Sequence, residues 1–386
     1  MSAIGQIRRV VEGAGSLENI VGEVKAYGAS RVLLVTDAGV FKAGLTADPQ
    51  ARLEKAGLSV HLINDVPPEP KQSEVQAIFD RAEKFETDLV LAIGGGSAMD
   101  TAKLIALMLG NGLNVQDLLD GKRPASRKVP LIMVPTTAGT GSEATPNAIV
   151  LVPELNLKVG IVSDLMVADE AILDAKLTVG LPNFITANTG IDALCHLMEC
   201  YISKKACPLS DTFALRGITL VARSLRKAYT DGTDLAARAD MLLASSYGGM
   251  AIAASSTVGI HALSYPLGGR YHIPHGLSNA ILMPYVMEEN APCCLERYGD
   301  IARAMGLDVA GKSPEAVAEM LVKELYDLNA FLHIHCDLKE KGITLDVVDE
   351  LVEAGAKVTR LLNNNPKALS HDDMRRIYTR LIQDNA

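Results

Sequence analysis

An aspartate and three histidines have the residue types and the spacing of a divalent-metal site. Asp192 and His196 lie four positions apart in the helical pattern PNFITANTGIDALCHLMECYI, so both side chains project from one helix face. His261 and His275 bracket the segment HALSYPLGGRYHIPH and add two imidazoles. One carboxylate and three imidazoles complete the ligand set of one divalent ion, and Fe²⁺ and Zn²⁺ both accept such ligands. Histidines in an apolar helix also serve as core or capping residues, and spacing alone leaves that alternative open.

A glycine-rich turn joins an apolar strand to a helical pattern. The strand runs from Leu89 to Ile93, and the turn consists of Gly94, Gly95, Gly96 and Ser97. A helix N-terminus after such a turn presents free backbone N–H groups to a phosphate, and glycines let a pyrophosphate approach the backbone. We therefore predict a dinucleotide site here. The alternative is a tight turn that binds no ligand.

A second loop, VPTTAGTGSEATP, follows the apolar strand from Leu131 to Val134. Its candidate ligand-binding residues are Thr136, Thr137, Thr140 and Ser142. Hydroxyl groups at the carboxyl ends of strands suit hydrogen bonding to ribose or phosphate oxygens, and the alternative is a solvated turn.

Asp37 ends another strand, RVLLVTD. A carboxylate at this position accepts hydrogen bonds from ribose hydroxyls and repels a 2′-phosphate, which favours NAD over NADP. The alternative for Asp37 is a cap of the following helix or turn.

Strand and helix patterns alternate in the first half of the chain. The apolar strands are RVLLVTD, LSVHLIND, LVLAIGGG and VPLIMVPT, with helical patterns at 45–57, 73–86 and 98–109 between them. Such alternation predicts a parallel sheet covered by helices. After Pro182 the strand patterns stop, and helical patterns run through 184–203, 208–228, 234–254, 315–329 and 344–362. The sequence therefore predicts an α/β domain over residues 1–180 and an all-helical domain over residues 181–386.

Length, charge and cysteine content narrow the class of protein. The 386 residues suit two domains rather than one core. A net charge of -9 without a basic cluster argues against nucleic acid as a partner. The apolar runs are too short or too interrupted for a transmembrane helix, so no membrane partner is expected. The N-terminal MSAIGQIRRVVEGAG has no signal-peptide core and the six cysteines contain no CxxC pair, which together indicate a cytoplasmic protein.

Four motifs in fixed order resemble those of the iron-dependent (group III) alcohol dehydrogenases. They are IGGGSAMDTAK, PTTAGTGSEATP, ANTGIDALCH and HALSYPLGGRYHIPHGLSNAILMP, and the resemblance spans nearly the whole chain. It implies a Rossmann-like α/β domain that binds the dinucleotide and an all-helical domain that binds the metal, the dehydroquinate synthase-like architecture. It also implies NAD and Fe²⁺ as cofactors, with Zn²⁺ as the alternative metal. The resemblance further implies a small alcohol or aldehyde as the substrate and a homodimer or larger homo-oligomer as the assembly.

The resemblance also assigns roles to single residues. Asp100 and Lys158 match family positions near the cofactor, although a surface lysine is the simpler interpretation of Lys158. Many family members carry a proton-relay histidine four residues after the third metal ligand, where this chain has Tyr265. A tyrosine is a poorer proton carrier at neutral pH, so His272 is a second candidate for the relay. Arg270 is either an outward surface residue or a group that binds an anionic substrate.

These residues and the resemblance predict an NAD-dependent, metal-dependent alcohol dehydrogenase or aldehyde reductase. In this chemistry the metal lowers the pKa of the alcohol and polarises the carbonyl group of the aldehyde. A hydroxyacid-oxoacid transhydrogenase and a reductase of an aldehyde that bears a carboxylate or sulfonate are alternatives. A non-catalytic NAD-binding regulatory protein is the alternative outside enzymes, and it would leave four ligand-type residues without a role.

Overall fold

A six-stranded parallel sheet organises the first part of the chain. The computed structural model describes residues 4–155 and 157–385, and the chain divides into two compact units, Met1–Gly180 and Leu181–Ala386. The strands of the first unit are β1 (Arg9–Glu12), β2 (Arg31–Asp37), β3 (Ser59–Val66), β4 (Leu89–Gly94), β5 (Leu131–Pro135), β6 (Asn147–Val152), β7 (Leu157–Val162) and β8 (Glu170–Leu173). The sheet has the order β1-β8-β5-β4-β2-β3, and its described pairings are parallel.

The sheet is buried on both faces because its strands alternate between two apolar clusters. In β2, Leu33 and Val35 pack on one face, whereas Val32 and Leu34 pack on the other. All residues of β4 and β5 are buried. Central strands of a parallel sheet are covered by helices on both sides, so they consist of continuous apolar residues. The predicted α/β fold class with a parallel sheet is confirmed.

Six α-helices accompany the sheet in the described part of the first unit. They are α1 (Ile20–Ala26), α2 (Ala38–Lys42), α3 (Ala47–Lys55), α4 (Gln72–Ala82), α5 (Gly96–Met108) and α6 (Val115–Leu119). Helices α4 and α5 pack in the cluster that contains Leu33, and α1 and α3 pack in the cluster that contains Leu34. The sequence patterns do not indicate the antiparallel pair of β6 and β7 or the four-residue strands β1 and β8. The four-residue strands β1 and β8 carry too few alternating positions to stand out from a loop.

The second unit consists of helices and loops in the part of it that the structure describes. The α-helices are α7 (Asn183–Ile202), α8 (Pro208–Thr230), α9 (Leu235–Ala254), α10 (Gly259–Tyr271), α11 (His275–Asn290), α12 (Leu295–Ala304), α13 (Pro314–Phe331), α14 (Val348–Ala356), α15 (Thr359–Leu362) and α16 (His371–Asp384). This confirms the predicted all-helical class. None of the described helices is both long and apolar enough to span a membrane.

The continuous helical pattern predicted over residues 344–362 is wrong. A short 3₁₀ turn at Leu345–Val347 precedes α14, which ends at Ala356, and α15 begins only at Thr359. Gly355, Val358 and Thr359 have low helix propensity, which explains the interruption.

Candidate metal centre and dinucleotide site

Four side chains from three helices converge in the second unit. Asp192 and His196 lie one turn apart on α7, His261 lies in the first turn of α10, and His275 is the first residue of α11. The Oδ1 atom of Asp192 lies 3.8 Å from Nε2 of His196, 3.8 Å from Nε2 of His261 and 3.7 Å from Nε2 of His275. The structure therefore brings together all four residues that the sequence predicts as metal ligands.

The spacing of the four ligand atoms suits a single divalent ion. All four lie within 4.8 Å of one another. Zinc holds such nitrogen and oxygen atoms at about 2.0–2.2 Å, so two ligands of one tetrahedral ion are separated by about 3.3–3.6 Å. The separations of 3.7 and 3.8 Å from Oδ1 of Asp192 lie slightly above that range. The side chains of Asp192, His196 and His261 are 3%, 6% and 4% exposed, whereas that of His275 is 31% exposed. The cluster is therefore buried except at His275, which leaves access for a small molecule on that side.

The amide of Asn279 contacts three of the four ligands. Its Nδ2 atom lies 2.7 Å from Oδ1 of Asp192, 3.1 Å from Nε2 of His261 and 3.3 Å from Nε2 of His275. An amide nitrogen carries two hydrogens and does not satisfy three acceptors at once. Asn279 is fully buried, and its Oδ1 atom has no hydrogen-bond partner among the described residues. Three acceptors that share one donor, beside an oxygen without a partner, fit a site that holds a cation.

Glu199 fixes the protonation of His261. One oxygen of this fully buried carboxylate accepts a hydrogen bond from the backbone N–H of Ile260 at 2.6 Å, and the other contacts Nδ1 of His261. A proton on Nδ1 leaves a lone pair on Nε2, which is the tautomer that coordinates a metal. The sequence prediction does not include Glu199. Positions 192, 196 and 199 nevertheless follow the i, i+4, i+7 spacing of one helix face, and that spacing is the signal that identifies it.

The charges of the cluster favour a cation. Burial raises the pKa of the Asp192 carboxyl, but the three imidazoles and the Asn279 amide lower it more, so its pKa lies below the ordinary value. Burial lowers the pKa of His261, but Glu199 and Asp192 raise it more, so its pKa lies above the ordinary value. When the imidazoles are neutral, as metal binding requires, the buried carboxylates of Asp192 and Glu199 carry a negative charge that a divalent ion compensates. Protons compete with that ion for His261 as the pH falls.

Close helix packing sets the position of His275. Gly276 follows it, and a Cβ atom at Gly276 would lie 2.6 Å from the carbonyl oxygen of Asn188 on α7. The first turn of α11 therefore approaches the backbone of α7, which carries Asp192. Between α10 and α11, His272 adopts the left-handed conformation with φ 54° and ends α10.

The other predicted residues of the second unit take different positions. The ring of Tyr265 lies 6.4 Å from that of His275, and burial raises the pKa of its phenol. His272 is exposed at the end of α10. The relay role stays a prediction for Tyr265 and His272. Arg270 is exposed and pairs with Glu350, so it is the outward surface residue of the two interpretations.

The predicted dinucleotide residues of the first unit lie at the carboxyl ends of three neighbouring strands. Asp37 ends β2, Gly94 ends β4, and Thr136 follows β5 and donates its backbone N–H to the Gly94 carbonyl at 3.0 Å. Ligands of open α/β sheets bind outside these strand ends. Helix α5 begins at Gly96 directly after β4, and no side chain caps its N-terminus. Its first backbone N–H groups are therefore available to an anion such as a phosphate.

Two of the three glycines in the turn are required by packing. A Cβ atom at Gly94 would lie 2.6 Å from a side chain of α5, and one at Gly96 would lie 2.8 Å from Cγ2 of Thr140. At Gly95 the nearest atom belongs to Thr137 and lies at 3.5 Å, an ordinary contact. The protein's own packing therefore does not require glycine at position 95. The missing side chain keeps the space before α5 open, as a bound phosphate needs.

A buried lysine holds the hydroxyl-rich loop against α5. The Nζ atom of Lys103 contacts Oδ1 of Asp100 at 3.2 Å, Oγ of Ser142 at 2.8 Å, Oγ1 of Thr145 at 2.9 Å and the carbonyl oxygen of Asn147 at 2.7 Å. Burial lowers the pKa of this ammonium group, and the Asp100 carboxylate opposes the shift. A fully buried ammonium needs such partners. Asp100 and Ser142 thus shape the loop, and their direct contact with a cofactor stays a prediction.

Three further predicted cofactor residues have partners within the first unit. Oγ of Ser97 accepts a hydrogen bond from the backbone N–H of Glu69 at 3.0 Å, and Nζ of Lys158 lies 2.6 Å from Oε1 of Glu69. Oδ1 of Asp37 accepts from the backbone N–H groups of residues 39 and 40 at 2.9 Å each, so Asp37 is a helix cap. Its Oδ2 atom would lie 3.2 Å from a Cβ atom at Gly94. One carboxylate oxygen of Asp37 therefore caps α2 while the other faces the strand ends.

Known protein families match both units of the chain. Residues 8–175 match the family described as iron-containing alcohol dehydrogenase, and residues 186–382 match the C-terminal domain of the Fe-containing alcohol dehydrogenase family. The long-chain-alcohol dehydrogenase 1 of Geobacillus thermodenitrificans is 42% identical over 371 residues, which cover 95% of this chain and 93% of that protein.

Solved structures are similar over almost the entire chain. The alcohol dehydrogenase from Oenococcus oeni superposes with a TM-score of 0.92 at 31% identity and covers 100% of both chains. The sulfoacetaldehyde reductase from Bifidobacterium kashiwanohense, solved in complex with NAD+, superposes with a TM-score of 0.88 at 30% identity and covers 99% of both chains.

Proposed function

Because the chain belongs to the iron-containing alcohol dehydrogenase family, we propose that it interconverts a small alcohol and its aldehyde with NAD and one divalent metal ion. Membership makes it an oxidoreductase that acts on CH–OH groups. The observation that carries the proposal is the convergence of one carboxylate and three imidazoles, from Asp192, His196, His261 and His275. A protein that only binds NAD has no use for this cluster.

The four residues would hold the ion through one oxygen and three nitrogen atoms. The bound ion supplies Lewis-acid polarisation of the substrate oxygen. The protein prepares the ligands for it, because Glu199 keeps Nε2 of His261 free to coordinate and Asn279 orients the Asp192 carboxylate. Iron is the typical metal of the family, and Zn²⁺ suits the same ligands, so the proposed ion is Fe²⁺ with Zn²⁺ as its competitor.

The first unit would bind NAD, which accepts or donates the hydride. Its phosphates would lie at the N-terminus of α5, where Gly95 leaves space and no side chain caps the helix. The similarity to a reductase solved with NAD+ supports this assignment. The proposed cofactor residues are Asp37, Gly94, Gly95, Gly96, Ser97, Asp100, Thr136, Thr137, Thr140, Ser142 and Lys158.

Metal removal tests the proposal. Anaerobically purified protein is expected to contain about one ion per chain, because the cluster offers one set of ligands. Oxidation of NADH with short aldehydes should fall to background after chelation and return with Fe²⁺ or Zn²⁺. Elemental analysis and the NADH absorbance measure both quantities. Metal-free protein that keeps its full turnover would overturn the metal-dependent mechanism, and bound metal without turnover on any aldehyde would overturn the substrate class.

The carboxylate of Asp37 is expected to make the enzyme prefer NADH to NADPH. The Asp37→Asn variant should narrow the ratio of the two catalytic efficiencies by about tenfold, which corresponds to about 1.4 kcal/mol of repulsion removed. Asparagine still accepts the backbone hydrogen bonds that cap α2, so this variant removes the charge and keeps the helix. Steady-state kinetics with both cofactors measure the ratio. An efficiency with NADPH equal to that with NADH in the unmodified protein would contradict the prediction.

Location and assembly complete the proposal. The six cysteines are unpaired thiols, which suits the reducing cytoplasm. A homodimer or larger homo-oligomer is the proposed assembly, and light scattering at several protein concentrations measures it.

A further inference from the structure

Side chains from distant parts of the chain cap the start of α10, the helix that carries His261. The first N–H groups of a helix have no acceptor within it, and the residue before Gly259 provides no side-chain cap here. The backbone N–H groups of Ile260 and His261 donate to Oε1 of Glu199 at 2.6 and 3.4 Å. The N–H group of Gly259 donates to Oδ1 of Asn365 at 3.2 Å, across 106 residues. Glu199 and Asn365 therefore share the cap of this turn.

The amide group of Asn365 has one orientation that satisfies its neighbours. Besides the Gly259 N–H, its Oδ1 atom accepts a hydrogen bond from Nδ2 of Asn290 at 3.0 Å. Its Nδ2 atom donates to Oδ1 of Asn290 at 2.6 Å and to the carbonyl oxygen of Lys367 at 2.7 Å. The two asparagines are fully buried. Because a backbone N–H only donates and a carbonyl oxygen only accepts, a reversed amide would leave both of them unsatisfied.

Asn365 also joins the two helices that carry His261 and His275. Gly259 is the first residue of α10, two positions before His261, and Asn290 is the last residue of α11, which begins at His275. A Cβ atom at Gly259 would lie 2.9 Å from Oδ1 of Asn365 and 3.0 Å from a side chain of α11. The start of α10 is therefore held against both Asn365 and α11, with no space for a larger residue.

We propose that Asn365 is a positioning residue of the metal centre. It acts through the backbone of α10: by capping the first turn together with Glu199, it fixes the direction in which Nε2 of His261 points. This inference rests on the proposed function, because the four ligands define where the ion lies. Its consequence is that the segment after α15, which supplies none of these four ligands, controls how well the site is arranged before an ion binds.

Binding of Co²⁺ to the full-length, metal-free protein tests the proposal. Asn365→Ala should weaken Co²⁺ binding by about tenfold, because a lost helix cap changes an equilibrium by about that factor and binding must then restore the first turn of α10. The visible absorption of the bound ion depends on the arrangement of its ligands and should change at saturation. Chelator competition measures the affinity. A purely structural residue would lower the free energy of unfolding but leave the affinity and the spectrum of the folded molecules unchanged.

Two further variants separate the cap from general stability. Asn365→Asp keeps an acceptor for the Gly259 N–H and places a negative charge at a helix N-terminus, but it loses the donor to Asn290 and Lys367. Its Co²⁺ affinity should stay within about threefold of that of the unmodified protein, although its free energy of unfolding falls. Gly259→Ala keeps Asn365 but places a methyl group against its oxygen, and it should weaken Co²⁺ binding as Asn365→Ala does. This second route applies even where Asn365→Ala does not fold.

Asn364→Ala is the matched control, since it changes the adjacent buried asparagine. The Nδ2 atom of Asn364 donates to Oγ of Ser256 at 3.3 Å and to the carbonyl oxygen of Arg360 at 2.9 Å, both outside α10. The variant loses two hydrogen bonds and should lower the free energy of unfolding. It should leave the Co²⁺ affinity and spectrum unchanged.

The outcomes for this inference and for the proposed function differ. Unchanged Co²⁺ affinity and spectrum in Gly259→Ala and in folded Asn365→Ala would overturn the positioning role, and so would an equal loss of affinity in Asn364→Ala. In each of these cases the unmodified protein still binds the ion, so the proposed metal site stands. An unmodified protein that binds no Co²⁺ would instead overturn the metal site of the proposed function.

Discussion

Alanine in place of His261 is expected to weaken metal binding by more than about 100-fold and to reduce turnover below detection. Disturbing a residue that only orients a metal ligand costs about 10- to 100-fold in affinity, and removing a ligand costs more. The change also leaves the buried Glu199 without its imidazole partner, which destabilises the metal-free protein. Elemental analysis after anaerobic purification and chelator competition measure metal binding, NADH oxidation measures turnover, and thermal unfolding of the metal-free protein measures its stability.

His196→Ala is the companion variant, because it removes a ligand and keeps the contact between His261 and Glu199 intact. It should lose the metal without the additional loss of stability. His371→Ala is the control: this histidine is exposed at the start of α16, lies 3.5 Å from Glu353 and contacts none of the ligands. Full activity of a metal-free His261→Ala protein would rule out the assignment of the ligands.

The four ligands are predictable from the sequence because their chemistry is unusual for their surroundings. Asp192 and His196 are a local pair on one helix face, and their spacing of four residues predicts directly that their side chains are close together. Strands β2, β4 and β5 are predictable for a similar reason, since burial on both faces gives each a continuous apolar run. For these strands and for the Asp192–His196 pair the signal lies within one element, whereas His261 and His275 lie on α10 and α11, and no pattern within one helix states that they meet Asp192.

The residues that the sequence does not reveal act across elements. Glu199 contacts His261 over a separation of 62 residues, and Asn279 contacts Asp192 over 87 residues. Helix-face spacing groups Glu199 with Asp192 and His196, and Asn279 with His275, but no local pattern identifies the partner on another helix. The same reason applies to Arg270, which is close in sequence to His275 but which the fold pairs with Glu350.

The dinucleotide site is a second example of what the sequence does not predict. Asp100 and Ser142 have polar side chains at plausible positions, yet the structure connects them to the buried Lys103. Judged by residue type alone, a hydroxyl or carboxylate group beside a predicted cofactor site is equally suited to bind the cofactor and to support the loop. The two roles are distinguished by the location of Lys103. Its burial is visible in the structure but cannot be predicted from a single sequence.

Glutamine in place of Glu199 is expected to weaken metal binding by about 10- to 100-fold while all four ligands remain. The carboxylate accepts hydrogen bonds from the backbone N–H of Ile260 through Oε1 and from Nδ1 of His261 through Oε2. A glutamine side chain of the same shape has one acceptor oxygen. If that oxygen stays on the Ile260 N–H, the amide nitrogen faces Nδ1 of His261 and donates to it. The proton of His261 then moves to Nε2, and Nε2 no longer coordinates a metal.

The sign of the pH dependence distinguishes this mechanism from a general loss of packing. Glu199 raises the pKa of His261 against the effect of burial, so protons compete with the metal at higher pH in the unmodified protein than in Glu199→Gln. The gap in metal affinity between the two proteins should therefore be widest above neutral pH and narrow as the pH falls. Chelator competition with Co²⁺ across a pH series, read from the visible absorption of the bound ion, measures the gap. Glu170→Gln changes another fully buried glutamate, in the first unit, and should leave Co²⁺ affinity unchanged at every pH. A gap that is absent, or that widens towards acid, would remove Glu199 from the control of His261.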